Sequence, residues 1–297
     1  MRLIHRRTLC LGSAALAVLH PLVVRAQAPA PRVVASFSIL ADMAQELAPA
    51  GVQVQALVGP DSDAHVYEPS PADGRRLAQA DLVLINGLGF EGWIERMVKV
   101  SGYRGPVTVA SQGITPRVGG HRNADPHAWQ DLAMARRYAD NISAAFAQRW
   151  PGQRDEIARR GADYVARIEQ LDARVREWLG AVPRAQRRVI TSHDAFGYFG
   201  AAYGVDFLAP QGWNTHSEPS AAAVARLIRQ IKKDGARAIF VENISDPRLV
   251  ERIAREGGVR VGGTLYSDAL SKPGGPAATY LQLFEHNARS LAAALQA

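Results

Sequence analysis

The sequence predicts an α/β protein of two lobes, each with a parallel sheet flanked by helices, joined by one long connecting helix. Short β-branched runs alternate with helical patterns in both halves of the chain, and a much longer helical pattern separates the halves. With 297 residues, 47% hydrophobic and 21% charged, the chain has enough apolar material for one large or two medium domains. A disordered or fibrous protein is excluded.

In the first half, strands and helices alternate as parallel sheets require. Ser70-Pro71-Ala72-Asp73 marks one helix start, because serine caps a helix, proline suits its first turn and an acid follows three residues on. The predicted strands are Val33–Phe37, Val52–Val58, Leu82–Ile85 and Val107–Ala110. The predicted helices are Ile39–Leu47, Pro71–Gln79 and one from Asp131 to Trp150.

A longer helical pattern follows the break at Pro151-Gly152, and we expect a connecting helix over 152–181. About 28 helical residues at 1.5 Å each make a rod of roughly 42 Å. The spacing also fits a coiled-coil dimer, although three heptads flanked by α/β units favour a helix packed within the chain. Its apolar positions alternate four and three residues apart: Ile157, Gly161, Tyr164, Ile168, Leu171, Val175 and Trp178.

The alternation resumes in the second half. Asp246 is a helix cap, and Gly257-Gly258 ends the helix that follows it. Strands are predicted at Arg188–Ser192, Ala238–Glu242 and Val259–Leu265, and helices at Ala221–Lys232, Pro247–Glu256 and Ala277–Leu295. The expected division is a signal peptide at 1–26, an N-terminal lobe at 27–151, the connecting helix at 152–181 and a C-terminal lobe at 182–297.

The first 26 residues read as an export signal. A basic start containing Arg6-Arg7 precedes an apolar stretch from Leu9 to Val24, and we expect cleavage after Ala26. The paired arginines also resemble a twin-arginine signal, which leaves the export route open. Cys10, the one cysteine, falls inside this segment, so the mature chain has no disulfide and no cysteine metal site.

The charge does not indicate a nucleic-acid partner. The formal charge is +7, but four arginines lie in the predicted signal, which holds no acid, and the remainder carries only +3, dispersed along the chain. No later apolar run approaches the roughly 18 residues of a membrane span. We therefore expect a soluble exported protein, located in the periplasm of a cell with two membranes.

Four metal-binding side chains follow predicted strands in turn-rich segments. His65 and His127 lie in the first half, and His193 and Asp268 lie in the second. Open α/β sheets bind ligands beyond the carboxyl ends of their strands, so two facing lobes would bring these groups together. Three imidazoles and one carboxylate make a four-coordinate site for a divalent transition metal.

The segments around these residues resemble the zinc/manganese-type substrate-binding proteins of bacterial ABC importers, the cluster A-I family. The resemblance runs from about Val33 to Leu295. It implies one metal in the cleft, delivery to a membrane permease, and the ligands His65, His127, His193 and Asp268. We expect a monomer with no nucleic-acid partner. The matching segments are His65-Val-Tyr-Glu-Pro-Ser-Pro71, Asp125-Pro-His-Ala-Trp129, Ser192-His-Asp-Ala-Phe-Gly-Tyr-Phe199, Glu218-Pro-Ser220 and Tyr266-Ser-Asp-Ala-Leu270.

The sequence leaves open the roles of two further histidines and three acidic residues. Zinc-specialised members of the family often carry a long His-rich loop before the second ligand, whereas this chain has only a short stretch containing His121. His216 either lines the cleft or precedes a helix cap. Asp125, Glu68 and Glu242 are candidates to hold the metal-bound imidazoles by hydrogen bonds.

The nitrogen-rich donor set suits zinc, whereas manganese favours oxygen ligands. Manganese is the alternative, because the loop before His127 is short and Asp268 could admit manganese by binding in a bidentate manner. One rival function is a zinc metallohydrolase, suggested by Ser192-His193-Asp194. Adjacent strand residues point to opposite faces, and a catalytic zinc keeps an open position, so the sequence favours a binding protein over an enzyme. A second rival is a two-lobed siderophore binder, which would need aromatic or arginine groups converging in the cleft.

Overall fold

A computed structural model describes residues 30–118 and 124–297 of the chain. The predicted signal peptide with Cys10, and the short stretch with His121, lie outside the described residues. Among the helices that are described, none is long and apolar enough to span a bilayer.

The first lobe is built on a parallel four-stranded sheet with the strand order β2-β1-β3-β4. Ser70 caps the second helix in a reciprocal capping box with Asp73, as the sequence predicts. The strands are β1 (Arg32–Phe37), β2 (Gln53–Val58), β3 (Leu82–Ile85) and β4 (Val107–Val109). The helices are α1 (Ser38–Leu47), α2 (Pro71–Ala78), α3 (Ile94–Ser101) and α4 (Leu132–Arg149).

The long connecting helix α5 (Arg154–Gly180) follows directly. Its apolar stripe, which includes Tyr164, Ile168 and Leu171, is buried in the core of the same chain. Since this face is covered by its own chain, the coiled-coil alternative is wrong. The helix packs against α4 and α1 and against the last helix of the chain.

The second lobe repeats the strand order of the first. Its parallel sheet is ordered β6-β5-β7-β8, the same 2-1-3-4 arrangement. The strands are β5 (Arg188–Ile190), β6 (Asp206–Leu208), β7 (Ala238–Glu242) and β8 (Val261–Leu265). The helices are α6 (Gly197–Tyr203), α7 (Ala221–Asp234), α8 (Pro247–Gly257) and α9 (Tyr280–Gln296).

The predicted fold class is confirmed, with local differences. The last helix begins at Tyr280 and not at Ala277, because the Thr279 side chain accepts a hydrogen bond from the Gln282 N–H and caps it there. Strand β5 ends at Ile190, two residues before the predicted Ser192. The elements α3, α6 and β6 were absent from the sequence-based prediction.

Contacts between the lobes fix the two sheets relative to each other. The larger apolar core contains buried residues of both sheets, including Val33 of β1 and Val189 of β5. Trp129 Nε1 and Gln130 Nε2, just before α4, both donate to the carbonyl oxygen of Ser267 after β8, at 3.0 and 2.7 Å. The loops that follow the strands of one lobe therefore meet the corresponding loops of the other.

Candidate metal centre

His65 lies in the segment between β2 and α2. Its backbone N–H donates to Asp63 Oδ1 at 2.8 Å, a short-range turn in which the aspartate side chain bonds two residues ahead. Its ring packs edge-on against Phe90, with centroids 4.6 Å apart. Its Nε2 lies 3.3 Å from the Nε2 of His127.

His127 lies between β4 and α4, and Asp125 holds it in the same manner. Asp125 Oδ1 accepts the backbone N–H of His127 at 3.0 Å and lies 2.8 Å from its Nδ1. Bonding at Nδ1 orients the ring and leaves Nε2 as the free donor atom. Asn86, after β3, donates to the carbonyl oxygen of Pro126 and fixes the preceding residue as well.

His193 is the third residue after β5 and is held by a different acid. Glu242 ends β7, the neighbour of β5 in the sheet, and its Oε1 accepts the His193 backbone N–H at 2.9 Å. Its Oε2 lies 2.6 Å from His193 Nδ1, and both side chains are fully buried. His193 therefore also presents Nε2 to the cleft.

Asp268 follows β8 and completes the cluster. Its Oδ2 lies 3.3 Å from His65 Nε2 and 3.2 Å from His193 Nε2, and its Oδ1 lies 3.6 Å from His127 Nε2. The four donor atoms all lie within 4.8 Å of one another, and no other group of three or more such side chains is found in the described parts of the chain.

Several donor separations, from 3.2 to 3.6 Å, are close to those of a tetrahedral metal site, while the whole set spans up to 4.8 Å. Metal–ligand bonds of about 2.1 Å, as zinc makes to histidine and carboxylate, place adjacent donors roughly 3.4 Å apart. His193 Nε2 and both oxygens of Asp268 are buried with no well-formed hydrogen bond among the described residues. Such unpaired buried lone pairs are costly unless a cation or proton lies between them.

Burial and charge compete over the pKa values of these groups. Burial lowers the pKa of His65 below its ordinary value. Burial acts on His127 in the same direction, but Asp268 and Asp125 outweigh it and raise the pKa of His127 to about 9. His193 is buried too, yet Glu242 and Asp268 raise its pKa well above the ordinary value.

Asp268 shows the converse effect. Burial would raise its pKa, but His193 and His127 hold the pKa of the carboxyl well below its usual range. Without metal, the carboxylate of Asp268 favours the protonated forms of His127 and His193, so an incoming metal competes with protons at these two rings.

The structure brings together all four predicted ligand residues. The residues whose roles the sequence left open fall into two groups. Asp125 and Glu242 hold histidine rings, whereas Glu68 and His216 are exposed. Asp63 is a positioning residue that the sequence analysis missed. A signal for it was present, since Asp63-Ala64-His65 and Asp125-Pro126-His127 share the same Asp-x-His spacing.

Two parallel α/β lobes that close on a buried cluster of histidine and carboxylate define a class of proteins that capture a ligand between lobes. The chain belongs to the family described as zinc-uptake complex component A, periplasmic, whose model matches residues 33–294. The family resemblance drawn from the motifs is thereby confirmed. The family is one of substrate-binding transport proteins, which act outside the cytoplasm.

Relatives within this family carry different metals in their names. The zinc-binding protein TroA of Treponema pallidum is 33% identical over 273 residues, covering 89% of each chain. The manganese-binding lipoprotein MntA of Bacillus subtilis is 31% identical over 274 residues, covering 89% of this chain and 90% of its own. The iron-binding protein YfeA of Yersinia pestis is 32% identical over 265 residues, covering 88% and 85%.

Solved structures share the fold over nearly their whole length. The periplasmic zinc-binding protein TroA from Treponema pallidum superposes with a TM-score of 0.86 at 31% identity, covering 89% of this chain and 99% of that one. The manganese-bound periplasmic metal-binding protein from Candidatus Liberibacter asiaticus gives a TM-score of 0.82 at 29% identity, with the same coverage.

Proposed function

We propose that this chain binds one zinc ion in the periplasm through His65, His127, His193 and Asp268 and delivers it to an ABC permease. The observation that carries the proposal is the convergence of four buried donor atoms within 4.8 Å of one another. The family of zinc-uptake complex components supports the transport role, as does a relative that is named a metal ABC transporter substrate-binding lipoprotein. The chain acts as a monomer that carries its metal as cargo.

The buried donors argue against the two rival functions. A hydrolytic zinc needs an open coordination position, and four protein donors fill a tetrahedral zinc completely. An organic ligand such as a siderophore needs a cleft into which it fits, but the four donor residues are at most 3% exposed. A bare ion is the ligand that suits this enclosure.

Native mass spectrometry and metal analysis of the purified mature chain test the proposal. We expect one zinc per chain, lost or greatly weakened in His65→Ala, His127→Ala and His193→Ala. His216→Ala is the matched control, since His216 is exposed, and it retains binding. Near-normal affinity in one of the three variants removes that residue from the site, and an added organic mass on the native protein contradicts a bare metal.

Manganese is the second candidate metal. Both carboxylate oxygens of Asp268 face the cluster, so Asp268 is able to bind in a bidentate manner and raise the coordination number, which manganese favours. MntA of Bacillus subtilis is named for manganese. A deletion strain that loses manganese uptake while its zinc accumulation is unchanged would overturn the zinc assignment and leave the four-ligand site intact.

A further inference from the structure

His65 is the one donor of the four with any exposed surface, at 3% against 0% for the other three. It lines a cavity of about 400 Å³ on the outside of the cluster. Leu88 and Gly89 of the first lobe form one wall of this cavity, and Trp213 and Asn214 of the second lobe form another. An ion that reaches the cluster through this cavity passes between the two lobes beside His65.

Trp213 and Asn214 belong to residues 209–219, here called the lid loop, which connects β6 to α7. The start of the lid loop is attached to the segment that carries His193. Gln211 pairs with His193 in an isolated parallel bridge, and the Asp194 N–H donates to the Gly212 carbonyl oxygen at 3.3 Å. Gln211 Nε2 also donates to the Ser217 carbonyl oxygen at 2.8 Å, which closes the loop on itself.

The lid loop also contacts the first lobe. The Thr215 hydroxyl donates to Asp63 Oδ2, while Asp63 Oδ1 accepts the backbone N–H of His65 at 2.8 Å. One carboxylate therefore joins the lid loop to the loop of a ligand from the first lobe. Through these contacts the lid loop is tied to His193 on one side and to His65 on the other.

We infer that the Thr215–Asp63 hydrogen bond holds the lid loop over His65 and sets the rate at which metal enters and leaves. This inference rests on the proposed function. Thr215 touches no donor atom of the cluster, so it acts as a positioning residue. A hydrogen bond that must break before the cavity opens slows entry and exit by the same factor, and the equilibrium affinity stays nearly constant.

The test compares Thr215→Val with Thr215→Ser in the full chain, using zinc as the probe. Valine keeps the shape but removes the hydroxyl, whereas serine keeps the hydroxyl. Stopped-flow exchange with a fluorescent chelator measures association and dissociation rates separately. We expect both rates to rise about tenfold in Thr215→Val, with the dissociation constant changed less than twofold, and near wild-type rates in Thr215→Ser. Ser217→Ala, an exposed position in the same loop, is the control with unchanged rates.

Three outcomes overturn the inference. Thr215→Val exchanges zinc at the wild-type rate, or Thr215→Ser is as fast as Thr215→Val, or only the dissociation rate rises and affinity falls with it. The last result makes Thr215 a contributor to affinity and not to access. Each leaves the proposed function standing as long as the wild-type chain binds one zinc. A wild-type chain that binds no zinc contradicts the proposed function, and the inference fails with it.

Discussion

At the scale of single residues, the contact of Glu242 with His193 is the strongest support for a ligand in the cluster. Glu242 is fully buried, and its carboxylate fixes both the backbone and the ring of His193. Partners that hold a metal-bound imidazole in this way orient the ring and increase its basicity. They contribute to metal affinity without touching the metal.

Glu242→Gln tests this contribution. We expect zinc affinity to fall about 10–100-fold, because glutamine keeps the size of the side chain but loses the charge that favours the bound imidazole. Competition titration against a chelator measures the change. Glu68→Gln is the control, since Glu68 is exposed, and an equal loss of affinity in both variants would show that the contact with His193 does not matter.

The raised pKa values of His127 and His193 predict a steep pH dependence of metal affinity. With its pKa at about 9, His127 is protonated at pH 7 in the metal-free site, and the raised pKa of His193 favours its protonated form as well. Zinc binding then displaces at least the proton of His127, and affinity rises at least about tenfold per pH unit between pH 7 and 8. Chelator competition at these two pH values measures it. Histidines with ordinary pKa values would instead give a nearly flat profile above pH 7.5.

The metal-free protein responds to pH with the opposite sign. A group whose pKa is raised by folding stabilises the folded state fully below its unfolded pKa, here 6.5 for His127, and loses that contribution as pH rises through about 9. The stability of the metal-free chain that depends on His127 therefore declines over the range in which zinc binding strengthens.

The four residues that the structure brings together were all expected from the sequence, and Asp125 and Glu242 were among the acids expected to hold them, whereas Asp63 was not. The donors stand out because histidine and aspartate in turn-rich segments that follow strands are recognisable in the sequence alone. Glu242 reaches His193 only because β7 lies next to β5, and that strand order is not written in local patterns. Glu68 is nearer to a ligand in sequence, yet it is exposed.

At the scale of elements, packing of α5 in the shared core holds the two lobes in position relative to each other. Leu171 is 1% exposed within the core that both sheets share. Leu171→Ala should lower the free energy of unfolding by about 2–5 kcal/mol, through lost burial and the cavity that remains. Urea denaturation measures it. Gln170→Ala, exposed on the same helix, should stay within about 0.5 kcal/mol, and a loss below about 1 kcal/mol in Leu171→Ala would mean that the helix is not a structural support.

Two of the three elements that escaped sequence-based prediction, α6 and β6, share a physical cause. The helix α6 has seven residues, Gly-Tyr-Phe-Gly-Ala-Ala-Tyr, which contain two glycines and no polar face, so no helical periodicity is visible. The edge strand β6 has three residues, too few for an alternating pattern. Both form because tertiary packing supplies what local propensity does not, as in the stacking of Phe196 on Phe207.

At the scale of the whole molecule, a metal bound between the lobes stabilises both, because the unfolded chain does not hold its four ligands together. At a thousandfold excess over Kd the gain is about 4 kcal/mol, a rise in Tm on the order of 10 °C for a chain of this size. Calorimetry with and without zinc at pH 7.5 and at pH 5 measures it. The rise should shrink at pH 5, where protons compete, and be absent in His193→Ala; a rise of equal size at both pH values would exclude histidine ligands.

Because the ligands are divided between two consecutive sheets, the stage of export at which the metal site forms depends on the export route. A chain threaded unfolded across a membrane with its N-terminus leading delivers His65 and His127 first, and Asp268 crosses only after β8. Its site is complete only on the far side, and the ions of that compartment are the first it meets. A chain exported already folded carries an assembled site out of the cytoplasm. The export route thus decides which pool of ions competes first for the protein.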